Sequence, residues 1–247
     1  AVARSVKYIN CGKEDLLINR AMSMSIDMPD GDYQSVQLSG AWARERSVKI
    51  RDLEPGITAV SSMRGNSSHQ HNPFIALKRR DTTEQRGDAY GFSLIYSGNF
   101  LAQAEVDNYN VLRVMLGINP FGFQWKLEPE DAFTTPEAIM VYSKEGLNGM
   151  SLQFHRLYRQ RLARGYWRDR ERPVLINNWE ATQFDYVEED LIKFAKKAKE
   201  CGIELFVLDD GWFGSRNNDK SGLGDWKANR EKLPDGIEGL SEKIEEL

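Results

Sequence analysis

The stretch "GIELFVLDDGWFG", residues 202–214, constrains the fold more than any other. An apolar run from Ile203 to Leu208 stops at two adjacent carboxylates, Asp209 and Asp210, followed by a glycine and two aromatics. A continuous apolar run of this length, bounded by Gly202 and Gly211, reads as a strand buried on both faces, which is the signature of a parallel sheet. A second run of the same kind precedes it. "VLINNW" begins just after Pro173 and ends in Asn177, Asn178 and Trp179. Between them "FDYVEEDLIKFAKKAKECG" has helical period, with Leu191, Phe194, Ala195 and Ala198 on one face. Asp185 and Glu188 resemble a capping box, and Gly202 supplies the stop. Cys201, after the last helical turn, reads as a small packed residue. "GLSEKIEEL" opens a further helix, with Leu240, Ile244 and Leu247 in phase.

The region before it has a different grammar. Residues 1–140 hold no convincing helical period. "GFSLIYSGNFLAQAEV" (91–106) and "YNVLRVMLGI" (109–118) alternate or run apolar between turn residues, which predicts an antiparallel sandwich. Met150, Phe154, Leu157, Tyr158 and Leu162 then fall on one helical face. The charged, proline-ended "RDRERP" (168–173) reads as a linker. The expected division is a β-sandwich over 1–145, a helix and connection over 146–172, and the start of a (β/α)₈ barrel over 173–247. A complete barrel takes about 250 residues. Residues 173–247 number 247 − 172 = 75, room for two βα units, so the barrel reads as truncated.

Composition narrows the function classes. With 33 basic and 37 acidic residues the net charge is −4, which argues against a nucleic-acid partner. No apolar run approaches the roughly 20 residues of a membrane span. "AVARSVKYIN" lacks the apolar core of a secretory leader, so a cytoplasmic setting is expected. Two cysteines make no disulfide framework, and His69, His71 and His155 have no zinc spacing.

In parallel α/β folds the working face lies at the strand C-termini. Buried acids there cost several kcal/mol unless satisfied. Four readings of Asp209 and Asp210 stay open: capping a neighbouring loop, pairing with an arginine, holding a divalent metal, or accepting from sugar hydroxyls while an indole covers the ring. No companion ligands are visible for the metal, and none is expected. Trp179 and Trp212 sit beside the polar strand ends, whereas Trp42, Trp125 and Trp167 lack that context and read as core or interface residues. Asp225 and Trp226, in the loop "SRNNDKSGLGDW", are candidates to line a pocket. Adjacent acids at one strand end suit binding better than catalysis, since the catalytic pair of a glycosidase must flank the scissile bond.

The stretch "RPVLINNWEATQFDYVEEDLIKFAKKAKECGIELFVLDDGWFG" resembles the bacterial α-galactosidases of glycoside hydrolase family 36. "RGNSSHQHNPFIAL" (64–77) and "GFSLIYSGNFLAQAEV" look like that family's N-terminal sandwich. The resemblance implies a β-sandwich followed by a (β/α)₈ barrel, retaining hydrolysis of terminal α-galactosides of the melibiose and raffinose type, no cofactor, and often a tetramer. Carried over by residue, Asp209 and Asp210 match the acids that hold the galactose O4 and O6 hydroxyls, and Trp179 matches the tryptophan lining the pocket. The family's nucleophile lies in a Lys-Trp-Asp motif and its acid/base is a later aspartate. Neither occurs here, so this segment alone is expected to be inactive, and the sandwich reads as incomplete at its N-terminus. The rival readings are a non-catalytic carbohydrate-binding protein, or the same fold devoted to galactosyl transfer or to an N-acetylgalactosamine substrate.

Overall fold

The computed structural model describes residues 1–247, and its contacts divide them into two units, Ala1–Ala163 and Arg164–Leu247. The first is sheet-rich. A six-stranded antiparallel sheet runs, edge to edge, through β1 (Val2–Arg4), β14 (Ala138–Ser143), β9 (Ala89–Leu94), β8 (Phe74–Lys78), β5 (Gln34–Ala41) and β6 (Arg44–Asp52). A three-stranded sheet is built from β10 (Phe100–Val106), β11 (Leu112–Ile118) and β4 (Met22–Met28), and β7 (Gly56–Ser61) runs beside β10. Two small pairs complete the unit: β12 (Trp125–Leu127) with β3 (Leu16–Ile18), and β13 (Ala132–Thr134) with β2 (Lys7–Ile9).

Alternation explains how the two larger sheets meet. Along β10, Phe100, Ala102, Ala104 and Val106 face inward, and along β11 Leu112, Val114 and Leu116 do the same. The register pairs small with large, Ala102 opposite Leu116 and Ala104 opposite Val114. Ile75, Leu77, Phe92 and Leu94 of the six-stranded sheet join the same core. On the outer face of the smaller sheet Arg113 lies directly opposite Asp27 and donates to both its oxygens, at 2.7 and 2.9 Å. Strands β1 and β14, far apart in the chain, lie side by side at one edge of the larger sheet: Val2 pairs with Met140 and Arg4 with Ala138.

The other face of the large sheet is covered by α1 (Gly146–Leu157). Met150 and Phe154 pack on Val36, Ala76, Ala89, Ile139 and Val141. Gly91 permits this approach, because a Cβ there would lie 2.5 Å from the Phe154 ring and 2.8 Å from the Met150 sulfur. So the helix of the expected connection packs with the sheet, and the contacts divide the chain after it. The helical stripe ends early: Tyr158–Leu162 is a π-helical turn, which shifts Leu162 out of phase and leaves it exposed. Of the two expectations for Trp42, core or interface, its exposure removes the core one. It sits in the β5–β6 turn, 85% exposed, and Trp125 and Trp167 are each 44% exposed.

In the second unit β15 (Leu175–Asn177) pairs in parallel with β16 (Leu205–Val207), Leu175 opposite Leu205 and Asn177 opposite Val207. The crossover carries a one-turn helix, α2 (Trp179–Thr182), and α3 (Glu188–Glu200); α4 (Gly236–Glu245) follows the long loop. Leu191, Leu233, Leu240 and Tyr186 form the core, with Phe206, Leu208, Trp212 and Ile244 against it. The expected capping box is replaced. Helix α3 starts at Glu188, so Asp185 lies outside it, and the Asp190 carboxylate accepts from the Val187 N–H at 3.5 Å. Glu188 turns inward and pairs with Lys243 of α4. Gly202 ends α3 at φ +80°, as expected, but Cys201 is exposed, since the helix has already closed one residue before it.

Candidate functional site

The site is assembled at the C-terminal ends of β15 and β16, where side-chain amides take over from the backbone ladder. Asn178 is completely buried. Its Oδ1 accepts from the Asp209 N–H at 2.8 Å, and its Nδ2 donates to Thr182 Oγ1 at 2.8 Å. Asn177 Nδ2 donates to Asp209 Oδ2 at 2.8 Å, while its Oδ1 accepts from the Trp179 N–H at 3.1 Å. The two asparagines therefore tie the strand ends together and aim Asp209. Neighbouring N–H groups hold the other carboxylate edges: Asp210 N–H to Asp209 Oδ1 and Gly211 N–H to Asp210 Oδ1, both at 2.7 Å. Gly211 has φ +91°, a left-handed conformation that a side chain would strain. That turn swings the chain away after Asp210.

Asp210 meets a residue that the sequence reading did not name. Arg216 grips it with a two-pronged contact, Nε to Oδ1 and Nη2 to Oδ2, each 2.6 Å. Arg216 is only 5% exposed; its Nη1 donates to the Ser221 carbonyl at 2.5 Å. Its guanidinium lies between the rings of Phe184 and Phe213, 5.5 and 5.8 Å from their centroids. Pairing with an arginine was one of the open readings, and for Asp210 it is what occurs. Arg216's hydrogen bonds hold the Asp210 carboxyl below the ordinary 3.8, against the opposing pull of burial.

Two further groups support the turn. Tyr186 Oη donates to the Asp210 carbonyl at 3.0 Å, and burial pushes its phenol above the usual 10. Lys232 Nζ donates to the carbonyls of Phe184 at 2.7 Å and Gly211 at 3.1 Å. Burial, the largest effect, pulls its ammonium below the usual 10.5. No local motif marks Tyr186, Arg216 or Lys232 in the sequence, because each acts on a residue distant in the chain or across a loop.

The aromatic candidates divide. Trp179 opens α2 and is half-buried, its ring edge-on to Phe184 with centroids 5.0 Å apart. Trp212 is half-buried in the core of this unit, 5.0 Å from Phe213. Trp226 stays exposed but lies 4.6 Å from Phe213 and 6.4 Å from Trp212. The loop carrying it is stapled at its base, Gly214 N–H to Lys227 C=O and Asn229 N–H to Trp212 C=O, both 2.8 Å. Asp225 is exposed on that loop beside Gly214. No three His, Cys, Asp or Glu side chains gather around one point in a way that would hold an ion.

These residues sit in a chain that matches two family models end to end. The glycosyl hydrolase family 36 N-terminal domain covers residues 1–128 and the melibiase model covers residues 132–247. The chain belongs to glycosyl hydrolase family 36. Among family 36 relatives, alpha-galactosidase AgaA of Geobacillus stearothermophilus is 56% identical over 246 residues, which are 100% of this chain and 34% of AgaA. Alpha-galactosidase Mel36A of Lactobacillus acidophilus is 47% identical over 99% of this chain and 34% of its own length. A crystal structure of an AgaA variant in complex with raffinose superposes with a TM-score of 0.92 at 56% identity, again over 99% of this chain and 34% of that one. The chain spans about a third of the length of the curated relatives it matches.

Proposed function

We propose that this chain is the sandwich and early-barrel portion of a retaining α-galactosidase that removes terminal α-galactosyl groups from melibiose- and raffinose-type sugars. On this reading residues 173–247 begin the (β/α)₈ barrel, and the protein acts in the cytoplasm as a homo-oligomer, a tetramer by family resemblance. The observation that carries it is the pair of carboxylates fixed at the end of β16 by asparagines from the adjoining parallel strand and by Arg216, in a chain 56% identical to an α-galactosidase throughout. The raffinose complex of a related structure supports the substrate class.

Lone-pair counting assigns the two acids unequal shares. A carboxylate offers about four acceptor sites. Asp209 uses one for Asn177 Nδ2 and one for the Asp210 N–H, leaving two. Asp210 uses two on Oδ1, for Gly211 and Arg216 Nε, and one on Oδ2, leaving one. Asp209 is therefore the principal acceptor for galactose hydroxyls and Asp210 the secondary one, with Trp179 lining the sugar pocket. Trp212, Asp225 and Trp226 are assigned to its outer wall. Catalysis itself needs two carboxyls flanking the glycosidic bond, about 5–5.5 Å apart in a retaining enzyme. Those groups are assigned to residues outside this segment, which alone should not turn over substrate.

The test is Asp209→Ala in the full-length enzyme. A hydrogen bond to a charged group is worth about 1.5–3 kcal/mol, so kcat/KM on an aryl α-galactoside should fall at least about tenfold. The preference for galactosides over glucosides should also narrow, because the two sugars differ at C4. Kinetics equal to wild type would remove the assignment. Normal sugar binding by a full-length protein without any turnover would favour a binding protein instead.

A further inference from the structure

We infer that Arg216 is a positioning residue for sugar recognition, holding the Asp210 carboxylate in one orientation so that its remaining lone pair faces the substrate. The inference rests on the reading of Asp210 as a hydroxyl acceptor and goes beyond it by naming the group that makes that acceptor rigid.

Three observations support it. The contact is a fork: two N–H groups meet two different oxygens at 2.6 Å each, which fixes rotation about the last bond of the aspartate as a single contact would not. The arginine is itself immobilised, 5% exposed between two phenylalanine rings and anchored to the Ser221 carbonyl. Orientation held by a group that cannot move costs no ordering when substrate arrives. Third, the same guanidinium joins the strand end to the loop that carries Asp225 and Trp226, since Asp210 and Ser221 share it.

An arginine that served only to fold the loop would need the Ser221 contact and the aromatic sandwich, but not a fork aimed at Asp210. Substitution separates the two roles. Lysine keeps the charge and loses the planar fork. The groups facing the Asp210 residue are Arg216 from the loop, Tyr186 and Lys232 from the segments flanking α3 and α4, and Asp209 beside it. Arg216 is the first cause of the acidic shift of Asp210, so loosening it should move Asp210 ionisation to higher pH.

The experiment uses the full-length enzyme with an aryl α-galactoside, comparing wild type, Asp210→Asn, Arg216→Lys and Arg216→Met. Arg216→Lys should raise KM about tenfold, with kcat changed far less. On acidification its KM should begin to rise at higher pH than in wild type. Millimolar guanidinium should restore part of the KM of Arg216→Met. If Asp210→Asn raises KM while both Arg216 variants bind as wild type, the inference falls and the galactose reading stands. If Asp210→Asn itself leaves KM unchanged, the galactose reading of Asp210 falls and takes the inference with it. Failure of both Arg216 variants to fold would assign the residue to structure and overturn the inference too.

Discussion

The two units of this chain solve the burial problem differently. In the first, two antiparallel sheets face each other and Phe92, Phe100, Leu112 and Leu116 are shut off from water entirely. In the second, two parallel strands lie with Leu175 and Leu205 52% and 40% exposed, and an apolar hollow of about 570 Å³ opens among Ala195, Phe206, Leu240 and Ile244. Yet the candidate sugar-binding groups all lie in the second. There, order comes from hydrogen bonds and one buried ion pair rather than from apolar bulk. The apolar core and the candidate site thus draw on different physical sources in different parts of one chain.

The largest expected effect breaks the first unit. Phe100→Ala removes a ring with no exposed surface, at a cost of about 3–5 kcal/mol, and should show as a lower urea midpoint for the transition that reports β-structure. Leu191→Ala addresses the core of the second unit, also at zero exposure; about 2–5 kcal/mol is expected, less than for the larger ring. If the units are as independent as the contrast implies, each substitution should move one unfolding transition and spare the other. A single shared transition in both variants would erase the distinction.

Acid should discriminate next. The folded carboxyl of Asp210 lies below its ordinary 3.8, so its ionised form adds stability above that value. This contribution is lost as pH falls through the folded value, below about 4. Tryptophan fluorescence from Trp179, Trp212 and Trp226 should therefore change below pH 4 in wild type and at higher pH in Arg216→Lys. The smallest effect is reserved for Trp42→Ser. At 85% exposure it should alter the unfolding midpoint by no more than about 0.5 kcal/mol.

Legibility in the sequence followed locality. The period of Leu191, Ala195 and Ala198 announced α3, and alternation announced β10 and β11, because the pattern that sets each element is contained within it. The start of α3 was misread because its N-cap is Val187, which has no side-chain acceptor, and because Glu188 is committed to Lys243, 55 residues on. The want of a polar strand end left Trp42 as a core or interface residue, whereas its exposure is decided by a two-residue turn between strands. At the site, the acids were visible from their abrupt position after an apolar run. Arg216 was not, since a loop arginine looks the same whether it faces water or, as here, a carboxylate six residues away.

The pairing of β1 with β14 at one edge of the large sheet has a consequence in time. Val2 pairs with Met140, so that contact waits for 138 further residues. At ribosomal speeds of roughly 5–20 residues per second, that delay is about 7–28 seconds. From the emergence of residue 94 until β14 arrives, the β9 edge that β14 finally covers is open to any other extended chain nearby. A nascent polypeptide of this kind is most exposed to mispairing just before residue 143 emerges, so a pause in translation shortly upstream of that point would be the most damaging place to slow the ribosome.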